Sequence, residues 1–504
     1  MEKVIIIIRD GYGHRDETTD NAVLVGKTPF TDQLMEKYPT TLLRTSGIDV
    51  GLPPGYMGGS EVGHLAIGTG RITDQALLRI NKAIEDKSFF SNPAFLETIE
   101  HVKKNNSTLH LMGLLQNNGI HSHQNHLFAL LELASAKGVK NIVVHIFSDG
   151  RDTPAKSAAE YIEPLEAILK KTGGVIGTLI GRFYAMDRDT RVERTTTAYN
   201  LLVEAQGKAH KTIHEALADA YASNETDEFI TPRVIGNYKG IADKDAIITY
   251  NYRSDRMRQI THMFLDENHD QRSKKLQVCY CTMQQYYDEY NGLVAFRPHE
   301  IKNTLADVIA DNNYSQLHIS ETEKYPHVTF FFNGLIEEPK KREDRILIPS
   351  PRDVKTYDEK PEMSIFEIKD ALIAQIQTQK HELIVVNYVN GDMVGHTGKM
   401  DAAVKAVEAI DVCIKETVEA ALQNEYTLLI FADHGNCEEM AGIHQTSHTL
   451  NDVDCILVSQ KPELQKERID LSYGGLCDIA PTALEILNIK KPIDMTGKSL
   501  IKKK

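Results

Sequence analysis

Val4-Ile5-Ile6-Ile7-Ile8 runs directly into Arg9-Asp10-Gly11-Tyr12-Gly13. Five consecutive β-branched apolar residues without alternation describe a strand buried on both faces, which is the habit of parallel sheets, and the glycine-rich run after it reads as a loop. Runs of the same kind recur at Leu109–Leu115, Ile142–Phe147, Val175–Ile180, Ala246–Tyr250, Leu383–Val389 and Thr427–Phe431. Helical patterns lie between them, at His126–Lys137, Ser157–Lys171 and Asp401–Leu422. In the last, Ala403, Ala406, Val407, Ile410, Ile414, Val418 and Ala421 keep to one face at helical spacing. Strand–helix alternation of this length predicts an α/β fold with mainly parallel sheets. In such sheets the loops at the carboxyl ends of strands carry the site, so those loops are the place to look for chemistry.

The 504 residues suffice for two or three domains with sizeable cores. A formal net charge of -14 argues against nonspecific binding to nucleic acid or to acidic membranes. The six cysteines form no CxxC pair and no disulfide framework, which fits a reducing, cytoplasmic compartment. The amino terminus lacks a signal peptide's apolar region, and no apolar run approaches the ~18 residues a bilayer span needs. A soluble protein is expected, with Lys502-Lys503-Lys504 as a solvated tail.

Gly55 to Arg71 holds a single serine, Ser60, among six glycines. Ser60 stands where a serine would cap a helix running from Glu61. Its hydroxyl is a poor nucleophile unless a base or a metal takes its proton. Three strands end in acids: Val4–Ile8 leads to Asp10, Leu383–Val389 to Asp392, and Thr427–Phe431 to Asp433 and His434. Asp392 and His396 are four apart, on one face if helical, and His448 follows further on. Each alone reads as a helix cap or a hydrogen-bonded histidine. As a group at equivalent strand ends they offer the oxygen and nitrogen ligands of a divalent metal, without thiolate. A metal beside Ser60 would lower its pKa and neutralise charge on a transferring group.

Between about Leu77 and Pro298 the strand-end loops carry different residues. They hold His121, Arg151 with Asp152, Arg182 and Arg188, and Arg253 with Arg256. Arginines pair bidentately with phosphate and carboxylate, so five of them after strands suggest a small, multiply charged anion. The bland alternative is that some pair with neighbours such as Asp149 or Asp187. Asp152 is a candidate proton shuttle. The predicted domains are 1–74 with 300–504, holding the serine and metal set, and an inserted 77–298, holding the anion set, with hinges at 75–76 and 299. A nucleophile in one and an anion clamp in the other imply phosphoryl transfer to serine in the cleft between them.

Asp10-Gly-Tyr-Gly, Met57-Gly-Gly-Ser-Glu-Val-Gly-His64, His121-Ser-His123, Asp149-Gly-Arg-Asp-Thr-Pro154, Tyr184-Ala-Met-Asp-Arg-Asp189, Glu321-Thr-Glu-Lys-Tyr325, Asp392-Met-Val-Gly-His-Thr-Gly398 and Ala432-Asp-His-Gly-Asn436 occur in this order. Together they closely resemble the cofactor-independent (2,3-bisphosphoglycerate-independent) phosphoglycerate mutases of the alkaline phosphatase superfamily, from Lys3 nearly to the carboxyl terminus. The resemblance implies an isomerase interconverting 3-phosphoglycerate and 2-phosphoglycerate in glycolysis and gluconeogenesis, through a phosphoserine at Ser60 and without 2,3-bisphosphoglycerate. It puts Ser60, Asp10, Asp433 and His434 around one metal and Asp392, His396 and His448 around a second, with manganese the common ion. It assigns substrate contacts to His121, Arg151, Asp152, Arg182, Arg188, Arg253, Arg256 and Lys324, and the acid–base role to Asp152. Lys324 follows the chain's second crossing between domains, from where it would reach the phosphoryl group. A monomer is the family's habit.

The chain departs from the family pattern at Gly59, where asparagine is usual, and at Arg9, where an apolar residue is usual. Gln116-Asn117-Asn118, Val192 and Asn390-Gly391 also depart. None of these removes a proposed ligand or nucleophile. Two rivals share parts of the pattern: a metal-dependent phosphatase or phosphopentomutase-type enzyme, and a catalytically silent binding protein on the same scaffold.

Overall fold

The computed structural model describes residues 2–266, 271–298, 300–442 and 445–504. The chain divides into two compact units, Met1–Gln75 with Glu300–Lys504, and Ala76–His299. Residue 299, expected as a hinge, lies outside the described residues.

The first unit is built on an eight-stranded sheet. The strand Val4–Arg9 is at its centre, between Leu383–Tyr388 and Thr427–Phe431, and parallel to both. Val4 to Ile8 are wholly buried, and each such side chain contributes about 1.5–3 kcal/mol relative to exposure. Gln316–Glu321 and Glu343–Ile348 extend the parallel part on one side. Val453–Val458 and Thr40–Arg44 continue it antiparallel on the other. Ile7 lies level with Val386 and Ile430, and Val386 with Ile319. The carboxyl ends of four parallel strands therefore reach one edge together, and deliver Asp10, Asp392, Asp433 and Lys324 there. The helix Met400–Gln423 buries the seven residues predicted for its apolar face and leaves Lys405, Lys415 and Glu419 exposed.

Gln316–Glu321 escapes a reading by apolar runs because Gln316, His318 and Ser320 interrupt it, yet all six residues are buried. Their polar groups are satisfied inside: Gln316 Nε2 donates to Ala306 O at 2.9 Å, and His318 Nδ1 lies 2.6 Å from Val328 O. The closing lysines are not a free tail. Ile501–Lys503 forms a strand antiparallel to Ile469–Leu471, so backbone pairing holds them while their side chains stay solvated.

The second unit has its own eight-stranded sheet. Cys279–Thr282, Ala246–Thr249, Leu109–Leu114, Ile142–Ser148 and Val175–Gly181 lie side by side in parallel. Their carboxyl ends carry the arginine loops on one edge.

Arg9 ends the central strand of the first unit and is only 1% exposed. Its guanidinium packs 4.2 Å from the Tyr12 ring centroid, but Nε and Nη2 have no hydrogen-bond partner among the described residues. Burying an uncompensated charge costs more than the ring returns. Arg9→Met is thus expected to leave the unfolding free energy unchanged or to raise it by about 1–4 kcal/mol. Denaturant titration checks this, and a clear loss of stability would contradict it.

Candidate active site

Ser60 opens the helix Ser60–Thr69, with Gly59 at the cap position. The expected capping role is not what the hydroxyl does: no side-chain cap bond forms there. Instead Ser60 Oγ lies 3.2 Å from Asp10 Oδ1 and 2.9 Å from His434 Nε2, and accepts from Lys324 Nζ at 2.6 Å. Ser60 stands at the first position of the helix, where the positive end of the dipole favours negative charge on the hydroxyl.

Two clusters of ligand atoms form, Asp10 with Asp433 and His434, and Asp392 with His396 and His448, each with its atoms within 4.8 Å of one another. The tautomers are set from behind. His448 Nδ1 lies 2.8 Å from Gly58 O and His396 Nδ1 lies 2.9 Å from Thr446 O, so each Nδ1–H donates to a carbonyl. Both Nε2 atoms then face Asp392 Oδ1, at 3.2 and 3.1 Å, where a bound cation would take them as neutral ligands. Gly59 gives His448 its place, since a Cβ there would meet the imidazole at 3.3 Å. Gly11, at φ +72°, lets the Asp10 loop pass where a Cβ would sit 2.6 Å from Asp392 Cα.

Asp10, Asp392 and Asp433 are buried, with Lys324 the one buried lysine among them. Burial and the neighbouring Asp433 carboxylate push Asp10 above the ordinary carboxylate range. Burial also opposes charge on Asp392, but Lys324 and hydrogen bonds from His396 and His448 outweigh it and hold that group well below the range. Burial lowers Lys324 too, yet the carboxylates of Asp10 and Asp392 prevail and keep it charged. Asp433 Oδ1 has no hydrogen-bond partner among the described residues, and Oδ2 meets the imidazoles of His64 and His434 at 3.2 and 3.5 Å. An orphaned buried oxygen, surplus negative charge and an all-oxygen-and-nitrogen donor set fit divalent cations.

Several contributing residues are given no role in the sequence reading. Asn387 Nδ2 donates to Asp10 Oδ2 at 2.6 Å, and Asn436 Nδ2 to Asp392 Oδ1 at 2.8 Å. His64 Nδ1 lies 2.9 Å from Ser60 O and 3.2 Å from Asp433 Oδ2. A lone asparagine inside the apolar run Leu383–Val389 was the available signal for Asn387. The four-residue spacing from Ser60 was the signal for His64.

In the second unit Arg182 is buried and already engaged. Its Nη1 binds Asp149 Oδ1 at 2.7 Å and Asp152 Oδ2 at 2.5 Å, and its Nη2 donates to His121 Nε2 at 2.9 Å. Burial and Arg182 push His121 down to about 4, so it is a neutral acceptor. Arg151 pairs with Glu228 at 3.3 Å, while Arg188 and Arg253 both reach for Asp255, at 3.6 and 3.4 Å. Asp187 pairs with Arg194, outside the predicted five. Burial, then the positive field of Arg182, Arg188 and Arg151, depress Arg256. Arg151, Arg182, Arg188 and Arg256 line a pocket of about 280 Å³, a cationic receptacle whose charges are only partly spent on neighbours. In the loop before His121, Gln116 Nε2 donates to Ser122 O, and Asn118 Nδ2 donates to Asp152 O at 2.7 Å. These substituted residues thus brace the site.

Residues 80–288 match the family described as BPG-independent PGAM N-terminus. The chain is 46% identical to the 2,3-bisphosphoglycerate-independent phosphoglycerate mutase of Clostridium botulinum, covering 99% of each. It is 47% identical to that of Clostridium acetobutylicum, again over 99% of both chains. The chain belongs to the 2,3-bisphosphoglycerate-independent phosphoglycerate mutase family. A Leishmania mexicana phosphoglycerate mutase, solved at low cobalt concentration, is similar in structure with a TM-score of 0.69 and 28% identity, covering 100% of this chain and 98% of that one. The cysteines are all free, and no described helix is long and apolar enough to cross a membrane.

The metal-like clusters of this family member set a pH dependence. The hydrogen bond to Asp392 raises His396, and the same carboxylate raises His448 against its burial. A cation binding there displaces protons that are held to higher pH than on an ordinary histidine. Manganese affinity is expected to rise from mildly acidic to mildly alkaline pH, with protons released on binding. Calorimetry in buffers of different ionisation enthalpy reads both, and a pH-independent affinity would contradict histidine ligation.

Proposed function

We propose that the chain interconverts 3-phosphoglycerate and 2-phosphoglycerate by passing the phosphoryl group through Ser60, with no need of 2,3-bisphosphoglycerate. The observation that carries the reading is the surrounding of Ser60 Oγ by Asp10, His434 and Lys324 at a helix amino terminus, in a family member that also holds a separate arginine pocket. Asp10, Ser60, Asp433 and His434 would hold one divalent cation, and Asp392, His396 and His448 a second, manganese in our reading. Bound there, they would lower the pKa of Ser60 and neutralise phosphoryl charge.

The chain's own groups do the rest. Arg151, Arg188, Arg253 and Arg256 bind the substrate's phosphate and carboxylate. Arg182, fixed by Asp149, orients Asp152 and His121 against the glycerate. Ser60 Oγ attacks phosphorus in line, and the bond from phosphorus to the glycerate oxygen breaks. Lys324 balances charge on the transferring group. Asp152 gives its proton to the departing glycerate oxygen. Glycerate reorients, its other hydroxyl gives its proton back to Asp152 and attacks the phosphoserine, and the bond from phosphorus to Ser60 Oγ breaks. Water must be kept out meanwhile, since hydrolysis of the phosphoserine would give a phosphatase. The substrate is a small molecule, and a monomer suffices for the scheme.

An enolase-coupled assay on 3-phosphoglycerate without 2,3-bisphosphoglycerate tests the reading. Chelation is expected to abolish conversion and manganese to restore it. Ser60→Ala is expected to lose roughly four to six orders of magnitude in rate, the scale of removing a covalent nucleophile, while still binding substrate. Mutase turnover by this variant would exclude the covalent route.

A further inference from the structure

His327 belongs to no cluster described above, yet it lines the same pocket of about 470 Å³ as Ser60, Lys324 and Asp392. It follows Lys324 by three residues, and its backbone N–H donates to Lys324 O at 3.1 Å. One helical turn therefore presents both side chains on one face. The chain there winds as a π-helical turn, His327–Phe331, closed by Phe332 N–H donating to His327 O at 3.1 Å. Such turns are rare and gather at functional sites.

The imidazole is held in plane. It stacks on Phe331 with centroids 5.3 Å apart and 16° between planes, and leans on His64 at 5.5 Å. Nδ1 is buried and has no hydrogen-bond partner among the described residues. An orphaned buried N–H is rarer in proteins than an under-used acceptor, so the ring's proton belongs on Nε2, and the partly exposed ring offers that N–H to the pocket. Burial, with His64 and Lys324 beside it, pushes the group down to about 3, which keeps the ring a neutral donor at working pH.

We propose that His327 is a further catalytic residue, whose Nε2–H donates a hydrogen bond to a non-bridging phosphoryl oxygen as the group moves between glycerate and Ser60. The inference rests on the reading of Ser60 as the phosphoryl acceptor. Charge in this transfer spreads over three equatorial oxygens, and Lys324 faces the group as a point charge. A fixed neutral donor adds stabilisation without drawing further negative charge to the site. No proton is transferred by His327. Its hydrogen bond strengthens as the oxygens gain charge, so it acts on kcat more than on KM.

The test uses the manganese-loaded enzyme with His327→Phe and His327→Gln. Phenylalanine keeps the ring and its stacking but has no donor, and glutamine returns an N–H near the position of Nε2. For His327→Phe, kcat is expected to fall roughly 100-fold, the scale of losing one preorganised donor, with KM and metal content close to those of the parent enzyme. His327→Gln is expected to recover much of that loss. A kcat for His327→Phe close to the parent's would overturn the inference, as would equal losses in both variants. Loss of metal or of fold in both would equally overturn it, since the residue would then be structural. An inactive parent enzyme would overturn the mutase reading itself and this inference with it, which separates the two failures.

Discussion

Asp10, Asp392 and Asp433 are pressed together out of water at the ends of three adjacent parallel strands, and this crowding governs the first unit. Like charges in a low-dielectric site repel strongly and lose their hydration, so the surroundings must compensate. Lys324 bridges Asp10 and Asp392, amide groups of Asn387 and Asn436 donate to two of the carboxylates, and the imidazoles of His64, His396, His434 and His448 turn nitrogen toward them. The parallel sheet makes the crowding possible, because its in-register strands bring loops distant in sequence to one edge. Ser60 enters from a helix start rather than a strand end, and so approaches the cluster from a different direction.

The second unit solves a complementary problem. Arginines needed for an anion repel one another, and the acids Asp149, Asp152, Glu228 and Asp255 hold them apart in defined places. Arg182 spends its guanidinium on Asp149, Asp152 and His121 and so acts as a frame, while Arg256 is left in the uncompensated field of its neighbours. In the proposed function, binding free energy for a phosphate ester would come from charges of the second kind, and its orientation from the first.

The apolar runs made much of this legible. Val4–Arg9, Leu383–Tyr388 and Thr427–Phe431 announce themselves because burial on both faces makes them mostly apolar, Arg9 and Asn387 being exceptions, and the acids after them are conspicuous by contrast. The strand Gln316–Glu321 was not legible, because a buried polar side chain satisfied by a distant carbonyl looks in sequence like a surface residue. The same blindness hid Asn387 and the contact of His64 with Asp433, which depend on partners far along the chain. Ser60 misled in the opposite sense: its residue type and position fit a helix cap, and only the convergence of Asp10, His434 and Lys324 on its hydroxyl shows where it points. Arg9 has no account beyond its packing on Tyr12.

The central claim is that Ser60 carries the phosphoryl group during turnover. The most direct measurement is acid quenching of the manganese-loaded enzyme with 3-phosphoglycerate labelled in its phosphate, followed by peptide mapping. The account predicts label on the peptide containing Ser60, formed within one turnover and lost on a chase with unlabelled substrate. Conversion that proceeds with no labelled Ser60 peptide at any quench time would contradict it.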